Sequence, residues 1–320
     1  MIYLTSPSGL CGNTRTLEGV LFIRSNDMAD KDFKTIEEQL EILRSRGLTI
    51  IDESQAKDFL LRNNYYRISG YSLTLRKNNV FSQSAAFQNI VDIYHFDHEF
   101  RHIILQYLEV IEVQMKSIYA YEFTKIHGPV GYLDHSFFTN QTKHKEIIAK
   151  AEQQKIQRLP HEAYLKHFVN ELHQDIPLWA YVDLFTISDI SFLYSISEQP
   201  IKDAVARTFG LTMNKGASIL GSYMHSMTII RNLCAHGGRI YNRLFEQKPS
   251  LNKREKALLI KDSSGNIDNA HFYGFLLVMK RLLPADIFNE MKRSIIVLTK
   301  KYPFVRMDYY GFRSDWQQKI

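Results

Sequence analysis

The residues of this chain best suited to chemistry lie in one run, Ile230-Arg231-Asn232-Leu233-Cys234-Ala235-His236-Gly237-Gly238-Arg239-Ile240-Tyr241-Asn242-Arg243. Histidine is the residue type that exchanges a proton near neutrality, so His236 offers a general acid or base. Arg231 offers a planar, permanent cation for the negative charge that develops on a phosphate. An acid/base group and a cation are the minimum equipment for attack of a ribose 2′-hydroxyl on the adjacent phosphodiester. One takes the proton, the other stabilises the charged transition state, and no metal is required. The leaving 5′-oxygen also needs a proton, which a second copy of the motif across a dimer would supply. An arginine and a histidine five apart equally describe a helix end whose side chains cap carbonyls, with Cys234 a small core residue.

Other constellations carry less. His95, Asp97, His98, Glu99 and His102 include a Glu-x-x-His spacing, but di-iron bundles need a second such pair, and none follows. A solvated helix face with an Asp97–Arg101 ion pair is the expectation, and no metal or cofactor site is assigned. Phosphate-binding loops, His-Glu-x-x-His and Gly-x-Ser-x-Gly motifs are all missing from the sequence. Tyr65, Tyr66 and Tyr71 with Arg67 and Arg76 could stack on unpaired bases; an apolar cluster bracing a hairpin, hydroxyls turned to water, is the preferred reading. Lys143, Lys145, Lys150 and Lys155 are placed to track a nucleic-acid backbone, as a solvated helix would also be.

These residues need a scaffold, and 320 residues with 45% hydrophobic and 23% charged content provide one. Such a composition buries a core, which excludes fibrous and disordered classes. Length alone suggests about two domains. No apolar stretch reaches the roughly 18 residues of a membrane span, and no leader pattern opens the chain, so a cytoplasmic protein without membrane contact is expected. Two cysteines, Cys11 and Cys234, make no disulfide framework. A net charge of +6 and a pI near 9.0 admit a polyanionic partner.

The pattern predicts a mainly α protein. Residues 1–33 read as a tail, with a short apolar patch from Val20 to Ile23. Thr35-Ile36-Glu37-Glu38 offers a capping box for a helix with Ile36, Leu40 and Leu43 on one face. A second short helix runs from near Ser54 to Asn63. Alternation at Tyr71, Leu73 and Leu75, before Asn78-Asn79 and Val80-Phe81, predicts a small hairpin. Apolar residues at helical spacing predict one helix over 87–127, halted at Gly128-Pro129, a polar one over 142–158, and others over 178–196 and 217–236. Two more are expected over 272–283 and 287–299. On the helix that carries the motif, Leu220, Tyr223, Met224, Met227, Ile230 and Cys234 form the core stripe. Gly221, Ser222, His225, Thr228, Asn232 and His236 form the opposite face, free to meet a second surface.

Several stretches together resemble one family. Arg231-Asn232-Leu233-Cys234-Ala235-His236, then Arg239 and Asn242-Arg243, resembles the R-N-x-x-A-H, R, N-R signature of the Abi-like (abortive infection, AbiD/AbiF type) proteins. Asn64-Tyr65-Tyr66-Arg67-Ile68-Ser69-Gly70-Tyr71 resembles the family's N-Y-Y-R-L-S-G-Y block. Phe87 through Arg101, with Ile111-Glu112, resembles its next helix; Pro177-Leu178-Trp179 resembles its P-x-W, and Gly311-Phe312 before Trp316 its closing block. Departures are Asp183 for a glutamate, Gly237-Gly238 after the histidine, and Arg313 for a proline.

The resemblance implies a HEPN-type helical bundle whose R-x4-H motif makes a metal-independent endoribonuclease, paired as a homodimer around a composite site. It implies Arg231 and His236 as catalytic, Asn232 as orienting, and a role in phage defence through arrest or death of the infected cell. It also implies regulation by a small noncoding RNA. Arg239, Asn242, Arg243, Lys143 and Lys145 are the expected RNA contacts. The expected layout is a tail (1–33), accessory helices and hairpin (34–86), a HEPN-like core (87–250) and C-terminal helices (251–320). The alternatives are an RNA-binding scaffold of the same fold without turnover, and an interaction protein that uses the polar face for helix pairing.

Overall fold

The computed structural model describes residues 32–261 and 264–320; almost all of the expected tail, with Cys11 and the Val20 to Ile23 patch, lies outside them. Helix α1 (Ile36–Ser45) starts at the anticipated capping box: the Thr35 hydroxyl accepts the Glu38 N–H, and the Glu38 carboxylate accepts the Thr35 N–H. Helix α2 (Glu53–Asn63) is capped by Asp52. A five-residue helix α3 (Tyr65–Ser69) follows directly.

The hairpin exists but is shorter than the alternation predicts. Strands β1 (Arg76–Lys77) and β2 (Val80–Phe81) pair antiparallel across Asn78 and Asn79, both at positive φ as a tight primed turn requires. Residues Gly70–Leu75 form a 3-10 helix instead of the incoming strand. Tyr71 and Ser72 are both buried while Leu73 is exposed, so the side chains do not alternate between two faces.

Helix α4 (Phe87–His127), 41 residues long, is the spine and stops at Gly128. Helix α5 (Gln141–Arg158) begins on an Asn140 cap, and the one-turn α6 (Ala163–Lys166) follows. The single helix expected over 178–196 is broken. Helix α7 (Leu178–Tyr181) tightens into a 3-10 turn, Phe185 is extended, and α8 (Ile187–Ile196) restarts with Thr186 and Asp189 capping each other. A Thr-x-x-Asp box within this apolar-rich stretch starts a new helix there. Helix α9 (Gln199–Thr208) was not anticipated; Pro200 in its first turn suits a helix start. Helix α10 (Gly216–Ala235) carries the motif. Short α11 (Lys253–Lys256), apolar α12 (Tyr273–Leu282), amphipathic α13 (Ala285–Lys301) and terminal α14 (Trp316–Lys319) complete the chain.

Helices α7, α8, α9, α10 and α13 pack around α4, and one continuous apolar cluster runs from Leu40 to Trp316. All six residues of the expected α10 stripe are buried in it. The fold is mainly α with one small hairpin. No helix among the described residues is long and apolar enough to cross a membrane.

Candidate functional site

The motif lies at the C-terminal end of α10, and local backbone chemistry fixes that end. His236 is the C-cap; the Gly237 N–H bonds the Cys234 carbonyl at 3.1 Å and the Gly238 N–H bonds that of Leu233 at 2.8 Å. This pair of bonds is a Schellman closure, which needs a left-handed residue after the cap. Gly237 supplies it at φ +64°, and a Cβ on Gly238 would lie 2.2 Å from Leu233 Cδ1. Gly237, one of the two glycines that depart from the family pattern, is therefore what this turn requires, whereas a side chain at Gly238 would have to displace that of Leu233. His236 is exposed, and neither its imidazole nor the Asn232 amide has a hydrogen-bond partner among the described residues. Cys234 is buried against the core, and burial pushes its thiol up to about 12, away from nucleophilic use.

Arg231 points the other way, toward α4. Its Nε lies 3.3 Å from Glu112 Oε2, and Glu112 also pairs with Lys116 at 3.1 Å. The terminal guanidinium nitrogens of Arg231 have no hydrogen-bond partner among the described residues. Both ion pairs edge an open cleft of about 1180 Å³ between α4 and α7, with Arg231, Ala235, Trp179 and Asp183 in its lining. Asp183, found where the resemblance led to a glutamate, thus keeps a carboxylate in the same cleft as Arg231. Trp179, Tyr121 and Val113 line it and are more than half exposed, at 58%, 65% and 60%.

Beyond His236 the chain is held by a buried carboxylate. Asp97 accepts the N–H of Tyr241 at 2.9 Å, the hydroxyls of Tyr71 at 2.8 Å and Tyr310 at 2.9 Å, and a charged bond from Arg101. Its contacts with the Ile240 N–H are longer, at 3.3 Å. The Asp97–Arg101 pair expected on a solvated face is fully enclosed, at 0% and 3% side-chain exposure. A charge pair out of water is tolerated when further hydrogen bonds satisfy it, and here they come from three distant segments. The Tyr71 hydroxyl, expected to face water, is one of those partners. Sequence spacing showed the ion pair but gave no sign of this network.

The expected RNA contacts fare unequally. Arg239 turns inward: it donates to the Tyr241 carbonyl and, at 3.1 Å, to that of Asn242, and burial lowers its proton affinity. A Cβ on Gly70 would lie 3.1 Å from its Nε, so the Gly70 position admits the guanidinium. Asn242 adopts φ +49° and bonds the Tyr309 carbonyl through its N–H at 3.0 Å. Arg243 is exposed, 5.6 Å from the Phe245 ring centroid. Lys143 and Lys145 lie on α5, which packs on α8 and contributes nothing to the cleft. Lys143 pairs with Glu146 at 2.9 Å, while Lys145 is exposed.

The histidine-rich stretch of α4 is likewise accounted for. Glu99 accepts from Lys301 at 2.8 Å and Tyr302 at 2.6 Å, and the His98 and His102 rings lie 4.3 Å apart. No group of three or more His, Cys, Asp or Glu side chains among the described residues is arranged to hold a metal.

Arg67, which the sequence offered only as part of a group that could stack on bases, with an apolar cluster preferred, reaches the motif. Its Nη2 donates to the Gly237 carbonyl at 2.5 Å, across 170 residues of sequence. Its membership of the Asn-Tyr-Tyr-Arg block was the available signal.

The network joins the blocks singled out in the sequence. Residues 64–71, the first half of α4, the motif loop and the Tyr310–Phe312 corner meet around Asp97, while Glu112 pairs with Arg231 and Trp179 and Asp183 line the same cleft. The profile of the family described as Abi-like protein matches residues 58–242, from within α2 through the residue that follows Tyr241. No curated protein and no solved structure matches the chain. With more than half of its 320 residues matched, and the motif inside the matched span, the chain belongs to the Abi-like protein family.

Proposed function

We propose that the protein is a metal-independent endoribonuclease of the HEPN type, acting in the cytoplasm in phage defence by abortive infection, with a small noncoding RNA as its restraint. His236 moves the proton of the ribose 2′-hydroxyl, Arg231 stabilises the charge on the phosphate, and Asn232 orients the group under attack. The observation that carries this reading is the unengaged His236 imidazole at the open end of α10, one helical segment from an arginine whose terminal nitrogens are also free.

The same geometry supports a homodimer. Arg231 lines the cleft and His236 does not, as expected for residues five apart and thus about 140° apart around a helix. One chain therefore offers the two groups in different directions. Two chains meeting at this end would combine the histidine of one with the arginine of the other and supply an acid as well as a base. The exposed Val113, Tyr121 and Trp179 beside Arg231 give such a partner an apolar surface.

The test is incubation of purified protein with RNA in EDTA and analysis of the product ends. Cleavage leaving 2′,3′-cyclic phosphate supports the reading. Cleavage that requires an added divalent ion, or binding without any cleavage, contradicts it; the latter outcome favours an RNA-binding scaffold.

A further inference from the structure

The end of α10 has a second cation beside His236, brought from the other end of the family-matched span. Arg67, on α3, reaches the carbonyl of Gly237 with Nη2 at 2.5 Å, and a Cβ on Gly237 would lie 3.4 Å from the same nitrogen. Its guanidinium carbon lies 5.8 Å from the Tyr94 ring centroid, so an aromatic neighbour flanks the group. The residue is exposed, and no carboxylate among the described residues pairs with it. A guanidinium has five N–H donors in a planar fork, and one carbonyl occupies only one edge. A tethered, solvent-facing arginine with open donors and no counter-charge is suited to a phosphate. A further arginine adds positive potential nearby: the Arg239 side chain lies against Gly70, in the turn after α3.

We propose that Arg67 forms a phosphate subsite next to His236, binding the RNA backbone at a nucleotide flanking the scissile bond, separate from the Arg231 cleft. The inference rests on the ribonuclease reading for its ligand. It makes the accessory region part of the substrate-binding surface as well as a brace for the bundle. An arginine that only clamped the turn would fix Gly237 without touching RNA.

The two roles separate through salt dependence. Each phosphate contact to a single strand contributes about 0.7 to the slope of log K against log salt concentration. Binding of a short single-stranded oligoribonucleotide is measured against salt for the non-cleaving His236→Ala protein, alone and combined with Arg67→Gln or Arg67→Lys. The expected result is a slope smaller by about 0.7 with Arg67→Gln and an unchanged slope with Arg67→Lys. An unchanged slope with Arg67→Gln overturns the inference and leaves the ribonuclease reading standing. Failure of the His236→Ala parent to bind RNA at any salt contradicts both. A readout that needs no second variant is modification by an arginine-selective dicarbonyl reagent, followed by mass spectrometry. Bound RNA should protect Arg67, and equal labelling with and without RNA overturns the inference.

Discussion

The Asp97 carboxylate accepts the backbone N–H of Tyr241 at 2.9 Å, joining α4 to the loop after the motif across 144 residues of sequence. With Tyr71 and Tyr310 on the same carboxylate and Arg67 on the Gly237 carbonyl, the chain just beyond His236 is held from several directions. The exposed imidazole thus sits on a braced turn although it has no partner of its own.

Removing the charge at the centre of this network should be costly. Asp97→Asn leaves Arg101 buried and unpaired, and breaking a buried pair in this way destabilises by about 3–5 kcal/mol. Urea unfolding followed by circular dichroism measures it, and a loss below about 1 kcal/mol would show that the network does not stabilise the fold.

The same network predicts an alkaline limit. Burial first, and then the Asp97 charge, raise the proton affinities of Tyr71 and Tyr310 above the ordinary tyrosine value. Above pH about 10 the native state therefore binds more protons than the unfolded state. The stabilisation is complete below that pH and is lost as pH rises, by about 1.4 kcal/mol per pH unit for each such tyrosine. Denaturant midpoints measured between pH 8 and 11 should be flat at first and then fall, and the fall should be shallower for Tyr71→Phe. The same pH dependence in Tyr71→Phe as in the wild type would contradict the assignment.

The turn itself is open to a backbone test. Gly237→Ala places a Cβ at φ +64° and should cost about 1 kcal/mol, whereas Gly237→Asn should cost less because asparagine tolerates the left-handed region. Thermal unfolding of the two variants compares them; equal stability would contradict the requirement for a left-handed residue.

Glu112 holds Arg231 through Nε, and a change there should separate activity from folding. Both side chains are partly exposed, so Glu112→Gln should cost less than about 1 kcal/mol of stability. If Arg231 acts on the transition state, RNA cleavage by this variant should drop about tenfold, equivalent to about 1.4 kcal/mol. Unaltered cleavage would mean that the ion pair does not orient Arg231.

Much of this arrangement was legible in the sequence where local signals suffice. The Thr35 box, the Gly128 stop, the Asn78-Asn79 turn and the buried stripe of α10 each follow from residue type at short spacing. Two errors have different causes. The alternation at Tyr71, Leu73 and Leu75 suggested a strand, yet Tyr71 is drawn inward by Asp97, whose partnership lies outside any local window. The break at Phe185 was hidden by apolar residues that recur on both sides of it, although Thr186 and Asp189 marked the restart. The motif was visible as types and spacing. That Arg239 would turn inward while Arg67 reached the motif depends on contacts made across 170 residues in the second case, which no periodicity encodes.

The central claim is that His236 performs chemistry on RNA. The most direct measurement compares wild type with His236→Ala for RNA cleavage in EDTA, with unfolding and oligomeric state followed in parallel. The account predicts 2′,3′-cyclic phosphate ends from the wild type, no cleavage above background from the variant, and the same fold and dimer in both. Cleavage by His236→Ala at the wild-type rate would contradict it.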